Sequence, residues 1–180
     1  GFLKFHEAGI IEKLPKIIGV QSEHADPVYR YYLEENENDR AFVPVTVRPS
    51  VAQAAMIGNP VSMPRVIEVA RAYNRASGER RIFVVQVTEQ EIMDAMIIAN
   101  QNGNIACTQG GEAMAGLARA VKDGRVRPGE VGVLDSTAHM LKFITFQEKY
   151  FEDRFAPDYE VIPRSELKNA PVPVRPEGIG

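Results

Sequence analysis

The sequence predicts an α/β domain, a parallel sheet flanked by helices in three α/β/α layers. Short apolar runs rich in Ile, Val and Phe recur at residues 16–21, 81–87 and 130–134. Helical stretches of about 10 to 15 residues separate them, the alternation that builds parallel sheets covered by helices. The chain has 180 residues, 44% of them hydrophobic, enough for one buried core.

Charge and composition exclude several classes. A net charge of −3 leaves no electrostatic footprint for nucleic acid. No apolar run approaches the roughly 18 residues of a membrane span. The single cysteine, Cys107, rules out a disulfide framework and a cysteine-rich metal site, and reads as a small buried hydrophobe. No signal-peptide pattern opens the chain. The expectation is a cytoplasmic protein with neither membrane nor nucleic-acid partners.

Residues 1–9 read as helix, with Phe2, Phe5 and Ala8 on one face and no capping residue or initiator Met before them. That start suggests a helix longer in a parent protein. Residues 16–21 form the first strand. Asp26-Pro27 opens a helix, with Asp26 as cap and Pro27 at the first helical position. Residues 34–40 are a polar loop, and 42–47 an edge strand at best, because of Pro44. Ser50-Val51-Ala52-Gln53 fits a capping box, whose helix stops at Gly58-Asn59-Pro60. Further helices are expected at 63–74, at 89–101 behind a second capping box (Thr88 to Glu91), and from Gly110-Gly111 to Lys122. The strand at 81–87 is the clearest, 105–107 is a very short one, and 130–134 is the last. An amphipathic helix carries Phe143, Phe146, Tyr150 and Phe151. The domain reading is a partial α/β domain over 1–155 and an extended, proline-bearing tail over 156–180.

Ligands of such sheets gather at the carboxyl ends of the strands. That rule selects residues 22–24, Thr88, 108–111 and 135–139. Asp135, Ser136 and His139 lie too close in sequence for a hydrolytic triad. Gly110-Gly111 can offer backbone N–H groups to an anion, or simply make a tight turn. Neither a dinucleotide fingerprint nor a P-loop is present. His6, His24 and His139 make no metal spacing with one another or with Cys107, so no metal is expected.

Five blocks in order resemble the threonine synthase family, pyridoxal-phosphate enzymes of fold type II. They are residues 1–11 with Leu14-Pro15; Gly19-Val20-Gln21-Ser22-Glu23 with Asp26-Pro27; Ala54-Ala55-Met56-Ile57-Gly58-Asn59-Pro60-Val61-Ser62; Met114-Ala115-Gly116-Leu117; and Thr137-Ala138-His139-Met140-Leu141-Lys142. The match covers residues 1 to about 155 and resembles the C-terminal portion of the family's large domain. It implies pyridoxal phosphate as cofactor, and conversion of O-phosphohomoserine and water to threonine and phosphate. It also implies that the Schiff-base lysine and the phosphate-cradling loop lie upstream of Gly1. No residue of this chain is then catalytic, and the chain alone is expected to be inactive.

The resemblance makes Thr137 the hydroxyl partner of the pyridine nitrogen, with Ser136 as fallback. Ser22, Gly110 and Gly111 complete the expected cofactor-binding set. The expected partners are a small amino-acid phosphate and a second copy of the chain. Two departures stand near this edge. Ala106-Cys107-Thr108-Gln109 replaces the Glu-Pro pair of many members, and Thr137-Ala138-His139-Met140 replaces T-G-H-G. A related pyridoxal-phosphate lyase or dehydratase, or a paralogue using another O-phospho amino acid, therefore stays open. So does a stand-alone α/β ligand-binding or regulatory domain.

Overall fold

Among the described residues, two strands form the sheet. β1 (Ile17–Ser22) and β2 (Ile82–Val87) run parallel, in register from Ile17 beside Ile82 to Ser22 beside Val87. The structure is a computed structural model that describes residues 1–169.

A parallel pair is stable only when both faces are covered, and alternation along the strands sends successive side chains to opposite faces. Ile82 and Val84 join Tyr31 and Tyr32 of α2 (Pro27–Leu33) and Met63 and Ala70 of α3 (Met63–Ser77). On the other face, Val20 and Val87 meet Ile92, Met93 and Met96 of α4 (Glu89–Gln101) and Ala115 of α5 (Thr108–Lys122). These are the three layers expected. Two glycines bring α5 into closest contact. A Cβ on Gly116 would stand 2.2 Å from Val20 Cγ2, and one on Gly111 would stand 2.5 Å from the Ile92 carbonyl oxygen. α1 (Phe2–Glu7) opens the chain, as the sequence indicated.

The Thr88 capping box forms. Glu91 N–H donates to Thr88 Oγ1 at 3.1 Å, and Thr88 N–H to the Glu91 carboxylate at 2.8 Å. α2 is capped differently from the expectation. Pro27 does occupy its first turn, but the Asp26 carboxylate accepts from Arg30 Nε and Gln86 Nε2 rather than from the helix. Gln21, at the end of β1, takes the free Val28 and Tyr29 N–H groups instead, each at 2.9 Å.

Four expectations are corrected. Residues 130–134 form no strand: Val131 and Val133 are 89% and 92% exposed, and no strand lies beside them among the described residues. A β-segment exists only through a neighbour's hydrogen bonds. Residues 42–47 are likewise unpaired as a strand, Val45 N–H going to the Gly58 carbonyl. Ser50 opens no long helix, only the 3-10 turn Gln53–Ala55. Its hydroxyl accepts from Ala52 N–H, while Val51 N–H is drawn to Glu89 at 2.6 Å. The short strand at 105–107 reduces to one antiparallel bridge, Ala106 to His139, and α5 starts at Thr108 rather than Gly110.

α6 (Ile144–Phe151) follows a 3-10 turn, and its Phe146 stacks on Phe155 with Tyr159 against both rings. Residues 156–169 return over α4 and α6. Ile162 N–H binds Gln90 at 2.7 Å, Arg164 N–H binds the Tyr150 hydroxyl at 3.1 Å, and Val161 is buried. The remainder of the expected tail, residues 170–180, lies outside the described residues. No helix among the described residues is long and apolar enough to cross a membrane.

Candidate functional site

The carboxyl ends of β1 and β2 carry a buried polar knot. Ser22 closes β1. Its N–H donates to Glu112 Oε1 at 3.1 Å, its hydroxyl donates to Glu89, and that hydroxyl accepts from His24 N–H at 3.0 Å. One serine thus joins two carboxylates, Glu89 from the first turn of α4 and Glu112 from the first turns of α5. Both are buried, Glu89 completely. Burial pushes the Glu112 carboxyl up to about 7; the Ser22 N–H opposes that rise and the neighbouring Glu89 adds to it. Glu112 therefore exchanges a proton near neutral pH.

Glu112 also borders a cavity of about 850 Å³, within the range of small-molecule sites. Val20 and Leu117 give it apolar walls, while Gln109, Asp135 and Thr137 give it a polar one. Among the described residues, both ends of the Gln109 amide are buried without a hydrogen-bond partner, as is the Thr108 hydroxyl. Buried polar groups left unpaired cost free energy. Of the two, Gln109 lines the cavity, so a ligand carrying heteroatoms there would relieve its share of that cost.

Thr137 lines this cavity. Ser136 is beside it, and a Cβ on Gly110 would fall 2.8 Å from Ser136 Oγ, so the bare glycine gives that loop room. Gly110, Ser136 and Thr137 therefore come together. Ser22 and Gly111 are engaged elsewhere, Ser22 with the two carboxylates and Gly111 against α4. The strand-end rule selected the segment that holds Gln109, but sequence reasoning missed Glu89 and Glu112. The capping box over residues 88–91 accounts for Thr88 and Glu91 and assigns no role to Glu89. For Glu112 a signal existed: it shares a helical face with Ala115 and Gly116, three and four residues on, where an exposed acid is out of place.

A family model described as "Pyridoxal-phosphate dependent enzyme" matches residues 1–136. Over 143 residues, 79% of this chain, the sequence is 32% identical to threonine synthase 2, chloroplastic, of Arabidopsis thaliana. Over the same length it is 29% identical to the threonine synthases of Methanocaldococcus jannaschii and Mycobacterium tuberculosis. The chain spans 26%, 33% and 35% of the lengths of these three relatives. The family's cofactor fits what the site offers: a cavity of suitable size, with Thr137 on its wall and Gln109, whose amide is unpartnered among the described residues, beside it. Matched from residue 1 to residue 136, and folded as a parallel sheet between helices, the chain belongs to the pyridoxal-phosphate dependent enzyme family.

Proposed function

We propose that this chain is the C-terminal part of the large domain of a threonine-synthase-like enzyme, which converts O-phosphohomoserine and water to threonine and phosphate. The observation that carries this reading is the match to threonine synthases of three distant organisms over the same length of 143 residues. Pyridoxal phosphate, when bound, supplies an electron sink for negative charge developed on an amino-acid substrate. Thr137 would hold its hydroxyl proton against the pyridine nitrogen, with Ser136 and Gly110 shaping the loop. A hydroxyl in that place, unlike a carboxylate, does not strongly favour a protonated ring. Gln109 would orient polar groups of the bound molecule, and Val20 and Leu117 would exclude water from its flank. Glu112 would keep a proton available at the cavity edge. The cofactor's lysine and phosphate loop, by the resemblance, belong to segments this sequence does not contain. That supports a further part of the proposal: the 180-residue chain alone is inactive. A cytoplasmic location and self-association complete it.

The test uses the protein encoded by the complete reading frame around this segment. Phosphate release is measured with O-phosphohomoserine and O-phosphoserine, and 2-oxo-acid release with threonine. Phosphate and threonine formed from O-phosphohomoserine support the proposal. Turnover confined to O-phosphoserine or threonine would replace it with a paralogue or a dehydratase. The segment Ala106-Cys107-Thr108-Gln109, read in place of the Glu-Pro pair of many members and holding the unpartnered Thr108 hydroxyl and Gln109 amide, is what favours that second reading.

A further inference from the structure

The histidines and the cysteine make no metal spacing in sequence, but the fold brings an acid from residue 160 to His24. His24 follows β1, and its imidazole is wholly buried. Its Nδ1 hydrogen-bonds to the Pro49 carbonyl. A carbonyl only accepts, so the proton sits on Nδ1, and Nε2 of the neutral ring carries a lone pair. Nε2 has no hydrogen-bond partner among the described residues. It faces Glu160 Oε2 at 3.6 Å, and ligand atoms of Glu23, His24 and Glu160 all lie within 4.8 Å of one another. Glu89 Oε1 is 3.9 Å from the other ring nitrogen. Against these three carboxylates stands Arg48, whose Nη1 pairs with Glu160 Oε1 at 2.5 Å and leaves Oε2 toward the histidine. A lone pair facing carboxylates is repulsive unless something positive lies between them.

We propose that His24 Nε2, Glu23 and Glu160 bind a divalent first-row transition cation. Mixed imidazole and carboxylate donors suit that class. A histidine that ligates through one nitrogen and donates its other N–H to a backbone carbonyl is the usual outer-shell arrangement of such sites. With bonds of roughly 2.0–2.2 Å to a cation such as Zn²⁺, tetrahedral ligands stand about 3.4 Å apart. Rotation of the Glu23 and Glu160 side chains, the latter 49% exposed, closes the remaining distance. Three protein ligands leave a fourth position for water. Glu160 closes the 3-10 turn Pro157–Tyr159, so the cation fastens the C-terminal segment to the end of β1.

The competing state is a second proton on the ring, giving an imidazolium among Glu23, Glu89 and Glu160. Calorimetric titration of the 180-residue chain with Zn²⁺ alone separates the two, run beside thermal melting. One saturable equivalent and a higher melting temperature are expected. Glu160→Gln should weaken binding at least tenfold and abolish the thermal shift. Glu152→Gln, an exposed acid outside the cluster, should leave both unchanged. His24→Asn should bind no Zn²⁺, and if it fails to fold, Glu160→Gln decides. The proposal is overturned if wild type shows no saturable binding, if Glu160→Gln binds as wild type does, or if nitrogen NMR shows a doubly protonated His24 that Zn²⁺ does not change.

Discussion

Glu112→Gln isolates the energetic consequence of burying an acid at the end of β1. In the unfolded chain Glu112 ionises near 4.5, and in the folded chain near 7. Below pH 4.5 it is neutral in both states and costs nothing. Between those values the unfolded chain releases its proton and the folded chain keeps it, so stability falls as pH rises. Above about pH 7 the loss is complete. At about 1.36 kcal/mol per pKa unit, it amounts to roughly 3 kcal/mol. Glutamine keeps the shape and still accepts the Ser22 N–H, but has nothing to ionise. Wild type and variant should therefore match near pH 4.5 and diverge steadily, the variant being more stable by roughly 3 kcal/mol at pH 8. The chain has no tryptophan, so urea unfolding is followed by circular dichroism of the helices at several pH values. Parallel pH profiles, or a variant less stable at pH 8, would refute the reasoning, because ionised Glu112 would then be satisfied in the fold.

Gly116→Ala places a methyl group 2.2 Å from Val20 Cγ2; overpacking should outweigh the gain in helix propensity and cost about 1–3 kcal/mol, with Val20→Ala restoring much of it in the double variant. Glu89→Ala leaves the buried Val51 N–H without its acceptor and should cost about 1–3 kcal/mol in urea unfolding. Thr88→Ala removes the side-chain half of the α4 capping box and should cost about 1 kcal/mol, a loss that Thr88→Ser should largely avoid. In the protein from the complete reading frame, Thr137→Val should weaken cofactor binding tenfold or more and shift the cofactor's absorbance. Unchanged affinity and spectrum would make Thr137 a turn residue only.

The helices and strands that were legible in the sequence are those whose signals are local. Thr88 and Glu91 satisfy one another within a single turn, and Ile82 to Val87 pack against neighbours on both faces. The segment 130–134 was misread because its composition describes a buried strand, while strand formation depends on a partner chain segment that composition cannot supply. Ser50 failed as a helix start for a related reason. Glu89, 38 residues away, takes the Val51 N–H that a new helix would have left free. At the site, the strand-end rule selected 22–24, 108–111 and 135–139, the segments that supply Ser22, His24, Gln109 and Thr137. It selected segments and not pairings. The link from Ser22 to both Glu89 and Glu112 spans 67 and 90 residues, and His24 and Glu160 are farther apart still. Such contacts leave no periodicity or spacing to read.

The most direct measurement is a crystal structure of the complete protein grown with pyridoxal phosphate. The expected result places the cofactor ring in the cavity between Val20, Leu117 and residues 135–137, its pyridine nitrogen within hydrogen-bond distance of Thr137 Oγ1. A ring bound elsewhere, or one whose nitrogen meets Glu112 in place of Thr137, would contradict the assignment of this face as the cofactor's seat.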